Sequence, residues 1–463
     1  MKARPNHKPQ VLIIGCGFGG LEAVRALSKA PVNITLIDRT NHHLFQPLLY
    51  QVATAGLSAP AISAPIRHIL RKEMRRGNLT VLQAEVTAID AADKSALLDD
   101  GEVVDYDHLI VAAGATHSYF GHDDWAPHAH GLKTLADAFA IRARVIGAYE
   151  RAERCADPIE RSTWMSFVVV GAGPTGVEMA GTLSEIAQHT LSKEFRHINS
   201  KHARVVLLEG SDRVLGSFVP ELQQRAREQL KRLRVDVRTG CKVLAINDMG
   251  VSYGSREGDV ELVHHVPTHT VIWAAGVAGS PLGRTLAASA EATLDRAGRL
   301  VVGPDLSLPG HPEIAVIGDL AAAQSHGPGA PKPVPGVSPA AKQMGRLAAA
   351  NLLRRLKGEA PLAFRYRDYG NLATIGRRAA VVDLSVPVFG ALRFSGFFAW
   401  LFWLFAHIYF LIGFRNRLVV MIDWAWSYFS FERHARVVAE PAWPEAQPTQ
   451  PPLMDNPDTQ PLA

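Results

Sequence analysis

The stretch that decides the fold is VLIIGCGFGG, residues 11–20, which is followed by LEAVRALSKA and, from residue 33, by NITLIDR. A short apolar run that ends in glycine predicts a buried parallel strand, and the spacing of apolar residues in the next segment predicts a helix. NITLIDR predicts the second strand, so the chain opens with a βαβ unit. We therefore expect an α/β fold.

The glycines of this turn have the spacing G-x-G-x-x-G, with Gly15, Gly17 and Gly20 at the three positions. In a dinucleotide-binding turn they allow the tight turn, the close approach of a pyrophosphate and the packing of helix on strand. Asp38 ends the second strand, 23 residues after Gly15, where a carboxylate accepts hydrogen bonds from a ribose. A plain tight turn is the alternative, but the strand, helix and acid together favour a dinucleotide site.

The same pattern returns in SFVVVGAGPTGVEMAG, which contains Gly171, Gly173 and Gly176. Its second strand is ARVVLLEG, and Glu209 is the candidate ribose ligand, 38 residues after Gly171. A carboxylate there binds a free 2′-hydroxyl and repels a 2′-phosphate, which favours NADH over NADPH, although Arg213 nearby would weaken that preference. The repeat predicts a second Rossmann-like module.

Two such modules call for two dinucleotides, and a tightly held FAD with an exchanging NADH is the economical pair. VIWAAGV, with Gly276, repeats VAAGA, with Gly114, in type and position, and EIAVIGDLAAA predicts a strand that returns to the first sheet. The second module is thus predicted to be inserted in the first. The expected division is residues 8–118 and 299–392 for FAD, 119–298 for NADH, 393–436 for membrane-associated helices and 437–463 for a disordered tail.

Composition narrows the classes of partner. The net charge is +5 and the pI is near 9.1, but the dense Lys/Arg blocks of nucleic-acid binding are missing from the sequence, so we expect no nucleic-acid partner. The three cysteines are widely spaced, which is typical of a reducing compartment. Adjacent His42 and His43 lack a second ligand cluster, so no metal is expected.

The most apolar stretch lies near the end, in FSGFFAWLFWLFAHIYFLIGF, 21 uncharged residues from 394 to 414. Its length permits a membrane-spanning helix, and its aromatic residues favour a helix that lies in the membrane interface. A buried core helix is the third alternative. We expect monotopic attachment to a cell membrane from the cytoplasmic face, through residues 394–431, with a single span as the competing interpretation.

Several motifs together resemble those of type II NADH dehydrogenases, single-chain NADH:quinone oxidoreductases that do not pump protons and belong to the two-dinucleotide flavoprotein superfamily. The motifs are GCGFGG, HHLFQPLLYQVATAGLS, VAAGA, GAGPTGVEMAG, IAVIGDLA, SPAAKQMG, ATIGRRAAV and LFWLFAHIYFLIGFRNR. The resemblance covers roughly residues 10–436, and it implies FAD as cofactor, NADH as donor and a membrane quinone as acceptor.

The resemblance also implies site residues. Those near FAD are Gly15, Gly17, Gly20, Asp38, Gln46, Pro47, Val86, Gly114 and Asp319. Those near the nicotinamide or quinone are Glu178, Gln343 and Arg378. Gln343 matches the last glutamine of a family pattern A-Q-x-A-x-Q whose first two positions are here Ser338 and Pro339, a departure that affects the expected quinone geometry.

Two other functions stay open at this point. A sulfide:quinone oxidoreductase has the same architecture but needs paired reactive cysteines, which this chain does not offer. A membrane-bound flavoprotein that senses NADH without quinone turnover would fit Pro339. The sequence leaves the identity of the quinone and a homodimer undecided.

Overall fold

The computed structural model describes residues 8–258, 260–386 and 390–438. The predicted disordered tail, apart from Val437 and Val438, lies outside these residues. The α-helices of the described part are α1 Phe18–Leu27, α2 Leu49–Ala53, α3 Ala59–Ile62, α4 Ile66–Ile69, α5 Arg71–Met74, α6 Leu135–Arg154, α7 Pro158–Trp164, α8 Pro174–Glu185, α9 Pro220–Arg232, α10 Leu282–Ser289, α11 Ser338–Leu356, α12 Phe397–Phe410 and α13 Phe414–Ser430.

The strands are β1 Gln10–Ile14, β2 Asn33–Asp38, β3 His42–Leu44, β4 Ser63–Pro65, β5 Leu79–Gln83, β6 Val86–Asp90, β7 Ser95–Leu98, β8 Val103–Asp105, β9 His108–Val111, β10 Ala115–His117, β11 Ala129–Gly131, β12 Ser166–Val170, β13 Arg204–Leu208, β14 Val235–Arg238, β15 Lys242–Asn247, β16 Gly250–Glu257, β17 Val260–Pro267, β18 Thr270–Trp273, β19 Val277–Gly279, β20 Leu300–Val301, β21 Ser307–Leu308, β22 His311–Val316, β23 Ala321–Ala322, β24 Gln324–Ser325, β25 Lys332–Pro333, β26 Asn371–Gly376, β27 Ala379–Val386 and β28 Gly390–Ser395.

The first sheet has the order β21-β22-β9-β1-β2-β5. Its strands β22, β9, β1, β2 and β5 run parallel, with Gln10 opposite Asn33 and Val11 opposite His108. All four residues Val11–Ile14 are buried, as expected for a parallel strand covered on both faces. Because β22 comes from residues 311–316 and lies beside β9, the predicted insertion of the second module in the first is confirmed.

The second sheet has the order β11-β18-β12-β13-β14 and is parallel throughout. Its central strand β12 is completely buried, which follows from the apolar run before the second glycine turn. The antiparallel sheet β15-β16-β17 adjoins this module. The chain is therefore an α/β protein with two Rossmann-like modules.

A three-stranded antiparallel sheet, β26-β27-β28, connects the modules to the C-terminal helices. Its buried residues Ala373 and Ile375 belong to the same apolar cluster as Val177 and Leu183 of α8. The sequence-based division places residues 371–392 in the FAD-binding domain, but these strands pack against helices of the second module.

The apolar stretch 394–414 is not one helix. Phe394 and Ser395 end β28, and α12 covers only the 14 residues Phe397–Phe410. Gly396 (φ +84°) precedes α12 and Gly413 (φ +89°) precedes α13, both in a conformation that favours glycine and interrupts a helix. The competing interpretation, one helix that spans a membrane over residues 394–414, therefore does not match these elements. Among the described residues, no helix combines the length and the apolarity needed to cross a bilayer.

Candidate functional site

The first glycine turn is as tight as its spacing predicts. Gly15 has a φ of +93° and its amide donates to the Ile37 carbonyl at 2.7 Å. A Cβ atom built on Gly20 would lie 1.9 Å from the Gly15 oxygen, so helix α1 can approach β1 only with glycine there. A Cβ on Gly17 would meet nothing within 4 Å, which leaves the outer face of the turn open.

Asp38 braces this turn from the end of β2. One carboxylate oxygen accepts the Cys16 amide at 2.6 Å, and the other accepts the amide and hydroxyl of Thr40, both at 2.8 Å. Helix α1 begins with neither a side-chain cap nor an acid in its first turn. Its first amides and positive dipole are thus available to a phosphate, and the turn fits a dinucleotide.

The second glycine turn repeats this arrangement. Gly171 has a φ of +97° and donates to the Leu208 carbonyl at 2.7 Å, and a Cβ on Gly176 would lie 1.8 Å from the Gly171 oxygen. Glu209 accepts the Ala172 amide at 2.6 Å and the Ser211 amide at 2.8 Å. A Cβ on Gly173 would meet nothing within 4 Å, and α8 also lacks a side-chain cap. The residues present therefore fit a second dinucleotide.

Gly114 and Asp319 lie near the first turn because of the sheet order. They follow β9 and β22, which are neighbours, and β9 is the neighbour of β1. Gly114 has a φ of +69° and its carbonyl accepts the Ser280 amide. A Cβ on Gly336 would lie 3.3 Å from the Asp319 carboxylate, so backbone passes close to this acid. The topology places both residues at the carboxyl edge of the sheet, where ligands bind in such folds.

The remaining predicted cofactor contacts are more scattered. Gln46 and Pro47 begin a single 3₁₀ turn, Gln46–Leu48, and the Gln46 side-chain Nε2 donates to the Lys133 carbonyl at 3.2 Å. Val86 is buried at the start of β6. Gly276 follows β18, and a Cβ there would lie 2.6 Å from the Phe120 ring. No contact among these residues tests their predicted roles.

His43 contacts the first turn and not a metal site. Its Nδ1 lies 2.8 Å from the Cys16 carbonyl, and burial lowers the pKa of His43 to about 4. Its Nε2 is buried without a hydrogen-bond partner in the described part of the chain. Within residues 8–258, 260–386 and 390–438, no three His, Cys, Asp or Glu side chains are grouped to hold a metal ion.

Glu178 is a buried carboxyl group in the first turns of α8, with 7% of its surface exposed. Its Oε1 accepts the Thr374 amide at 3.3 Å. Burial raises the pKa of Glu178 to about 8, and the Thr374 amide and the Trp403 side chain only partly oppose that rise. Glu178 therefore carries a proton at neutral pH.

A cavity of about 100 Å³ lies beside Glu178, between α2, α8, β26 and the C-terminal helices. Thr374 and Trp403, which both influence the Glu178 carboxyl, form part of its wall. The helix α8 continues into a π-helical turn, Ile186–Thr190, that brings Thr190 to the wall. The lining residues are Tyr50, Gln51, Gly56, Thr182, Glu185, Thr190, Thr374, Gly376, Arg377, Trp400, Trp403, Leu404, Trp424, Ser427, Tyr428, Phe431 and Arg433.

Gln51 joins the α2 side of this cavity to α13. Its Nε2 donates to the Tyr50 hydroxyl at 2.9 Å, and its Oε1 accepts the Trp424 indole N–H at 2.7 Å. Tyr50 is 4% exposed. Burial raises the pKa of Tyr50 well above its ordinary value, and Glu178 adds to this rise once it is ionised, so the Tyr50 hydroxyl stays protonated.

Two arginines form the basic end of the cavity, and both are tied to Glu185. Arg433 lies 3.6 Å from one Glu185 oxygen and donates to the Thr54 carbonyl at 3.2 Å. The Arg377 amide donates to the other Glu185 oxygen, and its guanidinium lies 3.5 Å from the centre of the Phe431 ring. The two positively charged side chains at this end of the cavity therefore already have interaction partners within the protein.

The structure separates the three predicted catalytic residues. Glu178 lies behind the cavity wall, and Arg378 is exposed with its guanidinium on the Tyr428 hydroxyl, so it reaches only the rim. Gln343 instead bonds both backbone groups of Arg367, at 3.0 and 2.9 Å, and is not among the cavity-lining residues. Arg377, the neighbour of Arg378, lines the cavity together with Arg433.

Pro339 occupies the first turn of α11, where a residue without an N–H loses no helical hydrogen bond. The departure from the family pattern thus has a local explanation in helix geometry. Three further residues of the cavity wall were not predicted from the sequence: Tyr50, Gln51 and Arg433. The signal for the first two was present in LYQVATAG, directly after the Gln46–Pro47 pair.

The three cysteines do not form a reactive pair. Cys16, Cys155 and Cys241 are free, and Cys16 and Cys241 are buried. Burial raises the pKa of the Cys16 thiol, which keeps it protonated. This arrangement gives no support to a sulfide-oxidising dithiol.

Two family descriptions match the chain. Residues 9–345 match the family "Pyridine nucleotide-disulphide oxidoreductase", and residues 369–434 match the "NDH2 C-terminal domain". The second match covers the connecting sheet and the terminal helices that border the cavity.

Curated relatives and solved structures agree with these matches. The chain is 44% identical to the type II NADH:quinone oxidoreductase Ndh of Mycobacterium tuberculosis over 93% of this chain and 90% of that one. It is likewise 44% identical to NdhA of the same organism, over 92% and 88%. The fold is similar to that of NDH2 from Plasmodium falciparum in complex with NADH, with a TM-score of 0.80 at 21% identity, over 94% of this chain and 100% of that one.

Proposed function

Because the chain belongs to the type II NADH:quinone oxidoreductase family, we propose that it reduces its quinone in the cavity between α8 and the C-terminal helices. The enzyme is an FAD-dependent oxidoreductase that takes its electrons from NADH. The observation that carries the location is the buried carboxyl of Glu178, whose pKa is raised by burial, behind a cavity whose outer wall consists of α12 and α13.

We assign FAD to the first glycine turn and NADH to the second. FAD, when bound, accepts a hydride from NADH and passes the electrons to a quinone. Gly17 and Gly173 leave room for a pyrophosphate, and the α1 and α8 amides favour its charge. The FAD-side residues are Gly15, Gly17, Gly20, Asp38, Gln46, Pro47, Val86, Gly114 and Asp319, and the NADH-side residues are Gly171, Gly173, Gly176, Glu209 and Gly276.

The quinone half of the reaction consumes protons as well as electrons. Glu178 holds a proton on its carboxyl at neutral pH, within reach of the wall formed by Thr374 and Trp403. We infer that this proton is available when a quinone accepts electrons in the cavity. We infer that Arg378 acts at the rim of the cavity. Gln343 holds α11 against the segment that contains Arg367, through its hydrogen bonds to the Arg367 backbone.

The outer surface of α12 and α13 is the proposed membrane contact. It exposes a set of large apolar side chains, and their exposure to water is energetically unfavourable. These residues are Phe397, Phe398, Leu401, Phe405, Tyr409, Phe410, Phe414, Leu418, Met421, Ile422, Trp426 and Phe429. We propose monotopic attachment at the cytoplasmic face of the cell membrane, so that a quinone passes from the bilayer directly to the cavity.

The homodimer and the domain boundaries stay predictions. A division that follows the packing assigns residues 371–395 to the second module and the terminal helices, because β26 packs on α8.

Absorbance spectroscopy of the purified protein tests the proposed reaction. In the absence of oxygen, NADH should bleach the yellow colour of the flavin. A soluble quinone should then restore this colour over many turnovers. Bleaching without restoration would identify an NADH-sensing flavoprotein instead. A purified chain that takes up no FAD would overturn both assignments.

A further inference from the structure

We propose that the Tyr50 hydroxyl donates a hydrogen bond to a carbonyl oxygen of the quinone, and that Gln51 positions that hydroxyl. The inference rests on the proposed function, because it takes the cavity lined by both residues as the quinone site. It adds a recognition residue on α2, a helix to which the sequence analysis assigned no substrate contact.

The orientation of the Gln51 amide follows from its partner on α13. An indole N–H can only donate, so the atom of Gln51 that lies 2.7 Å from Trp424 Nε1 must be the carbonyl oxygen. The amide nitrogen then faces the Tyr50 hydroxyl at 2.9 Å and donates to it. Trp424 thus fixes the orientation of the Gln51 side-chain amide. That amide in turn fixes which side of the Tyr50 hydroxyl oxygen accepts a hydrogen bond.

A hydroxyl that accepts from one side has its own hydrogen free to point elsewhere. Within the described residues, no group accepts a hydrogen bond from the Tyr50 hydroxyl, and Tyr50 lines the cavity. The same residue is buried and neutral, with its pKa raised by burial first and by Glu178, once that group is ionised, second. Its O–H is therefore a desolvated donor directed at the cavity.

Three threonine hydroxyls of the wall have acceptors already, and the Ser427 side chain on α13 is partly exposed. Thr182 donates to the Glu178 carbonyl at 2.7 Å, Thr190 to the Phe431 carbonyl at 3.2 Å, and Thr374 to the Ala379 carbonyl at 3.2 Å. Tyr428 lies at the rim, where its oxygen accepts from Arg378. Tyr50 is the inner hydroxyl with its donor uncommitted.

A quinone head group suits this arrangement. Its two carbonyl oxygens accept hydrogen bonds and it has no donor of its own, while its flat ring packs against aromatic faces. Trp400, Trp403 and Trp424 supply such faces in the cavity wall. A buried carbonyl left without a donor would weaken binding, so one desolvated hydroxyl matters for both affinity and orientation.

The experiment separates the two half-reactions of the full-length enzyme in an anaerobic stopped-flow instrument. Bleaching by NADH reports the donor half, and reoxidation of the bleached enzyme by a short-chain quinone reports the acceptor half. Ferricyanide is the matched acceptor, because it takes electrons without a carbonyl group to bind. For Tyr50→Phe we expect about tenfold slower reoxidation by quinone, the effect of about one buried hydrogen bond, with the other two rates within about twofold.

Gln51→Glu tests the orientation argument at constant size. A carboxylate at position 51 still accepts a hydrogen bond from the Trp424 indole N–H. Its other oxygen accepts a hydrogen bond from the Tyr50 hydroxyl, so the hydroxyl hydrogen points away from the cavity. We expect it to slow quinone reoxidation as much as Tyr50→Phe does, whereas Tyr106→Phe, which removes a buried hydroxyl that does not line the cavity, changes that rate less than about twofold. Normal quinone reoxidation in both Tyr50→Phe and Gln51→Glu would overturn the inference.

Ser427→Phe distinguishes failure of this inference from failure of the proposed site. It places a ring in the cavity from α13 and leaves the Tyr50 and Gln51 side chains unsubstituted. If it blocks quinone reoxidation while Tyr50→Phe does not, the cavity is the quinone site and the Tyr50 assignment is wrong. If neither variant slows the quinone, the site lies elsewhere and both assignments fail.

Discussion

Asp38 and Glu209 hold equivalent positions in the two modules: each accepts the backbone amide of the residue after the first glycine, Cys16 or Ala172, at 2.6 Å. Each also accepts a second amide from the loop that follows its strand. The two acids thus brace the turns in the same way, and they differ in the dinucleotide that we assign to each.

Glu209→Gln should narrow the preference for NADH over NADPH. The substitution removes the charge that would repel a 2′-phosphate, while an amide oxygen can still accept from Ala172. We expect the ratio of kcat/KM values for the two donors to fall about tenfold. Asp38→Asn is the matched control, which should alter FAD retention and leave that ratio unchanged; an unaltered ratio in Glu209→Gln would remove Glu209 from the ribose site.

Gly17→Ala and Gly20→Ala should fail differently. A Cβ on Gly20 would lie 1.9 Å from the Gly15 oxygen, so the strand and helix must separate, and we expect a destabilised chain with little flavin. A Cβ on Gly17 meets nothing, so the fold should survive while FAD binds more weakly. Thermal unfolding and the flavin absorbance per protein measure the two effects. Equal losses of stability in both variants would contradict the assigned geometry.

Glu178 should make the folded protein less stable as the pH rises. Its folded pKa of about 8 exceeds the ordinary value of 4.5, so the folded state binds the extra proton between these values. The stabilising protonated form is fully present below pH 4.5, and its contribution is lost as the pH rises toward 8. Glu178→Gln removes this dependence.

The measurement compares midpoints of thermal unfolding at pH 6 and pH 9. We expect the midpoint of the wild type to fall by roughly 2 °C more than that of Glu178→Gln over this interval. The same variant should slow quinone reduction and leave flavin bleaching by NADH intact. Parallel curves for the two proteins would mean that the carboxyl is already ionised at pH 6.

Replacing Phe398, Phe405 and Phe414 by glutamate should release the enzyme from vesicles. All three rings are exposed on the C-terminal helices, and burying a large apolar side chain contributes roughly 1.5 to 3 kcal/mol. We expect vesicle binding to fall by more than about tenfold, with ferricyanide reduction retained. Val263→Glu changes an equally exposed apolar residue on β17 and should bind vesicles normally. Sedimentation with liposomes decides the outcome.

The two glycine turns could be predicted from sequence because the glycines, the two strands and the acid that braces each turn all belong to one βαβ unit. The insertion of one module in the other could also be predicted, because the segment EIAVIGDLAAA, which contains most of β22, has the pattern of a strand that returns to the first sheet. The cavity could not be predicted, because Tyr50, Glu178 and Trp424 come from distant parts of the chain. Its polar contacts depend on side-chain directions that no local spacing encodes.

The apolar stretch near the end shows a different limit. Length and absence of charge allowed a single span, but Gly396 and Gly413, both with positive φ, divide the stretch into a strand end, a short helix and a turn. Arg377 and Arg378 are adjacent on the turn between β26 and β27. The structure places Arg377 in the cavity wall and Arg378 on the Tyr428 hydroxyl at the rim, a difference that the sequence GRRAAV does not encode.

The order of strands in the first sheet has a consequence for biosynthesis. Strand β9 pairs with β22, and the paired residues Leu109 and Ile314 are separated by the whole second module. At ribosomal rates of about 5 to 20 residues per second, the free side of β9 waits roughly 10 to 40 s for its partner. The sheet of the inserted module is complete once Trp273 has been synthesised, so this module can fold in that interval. The sheet of the first module still lacks β22 at that time.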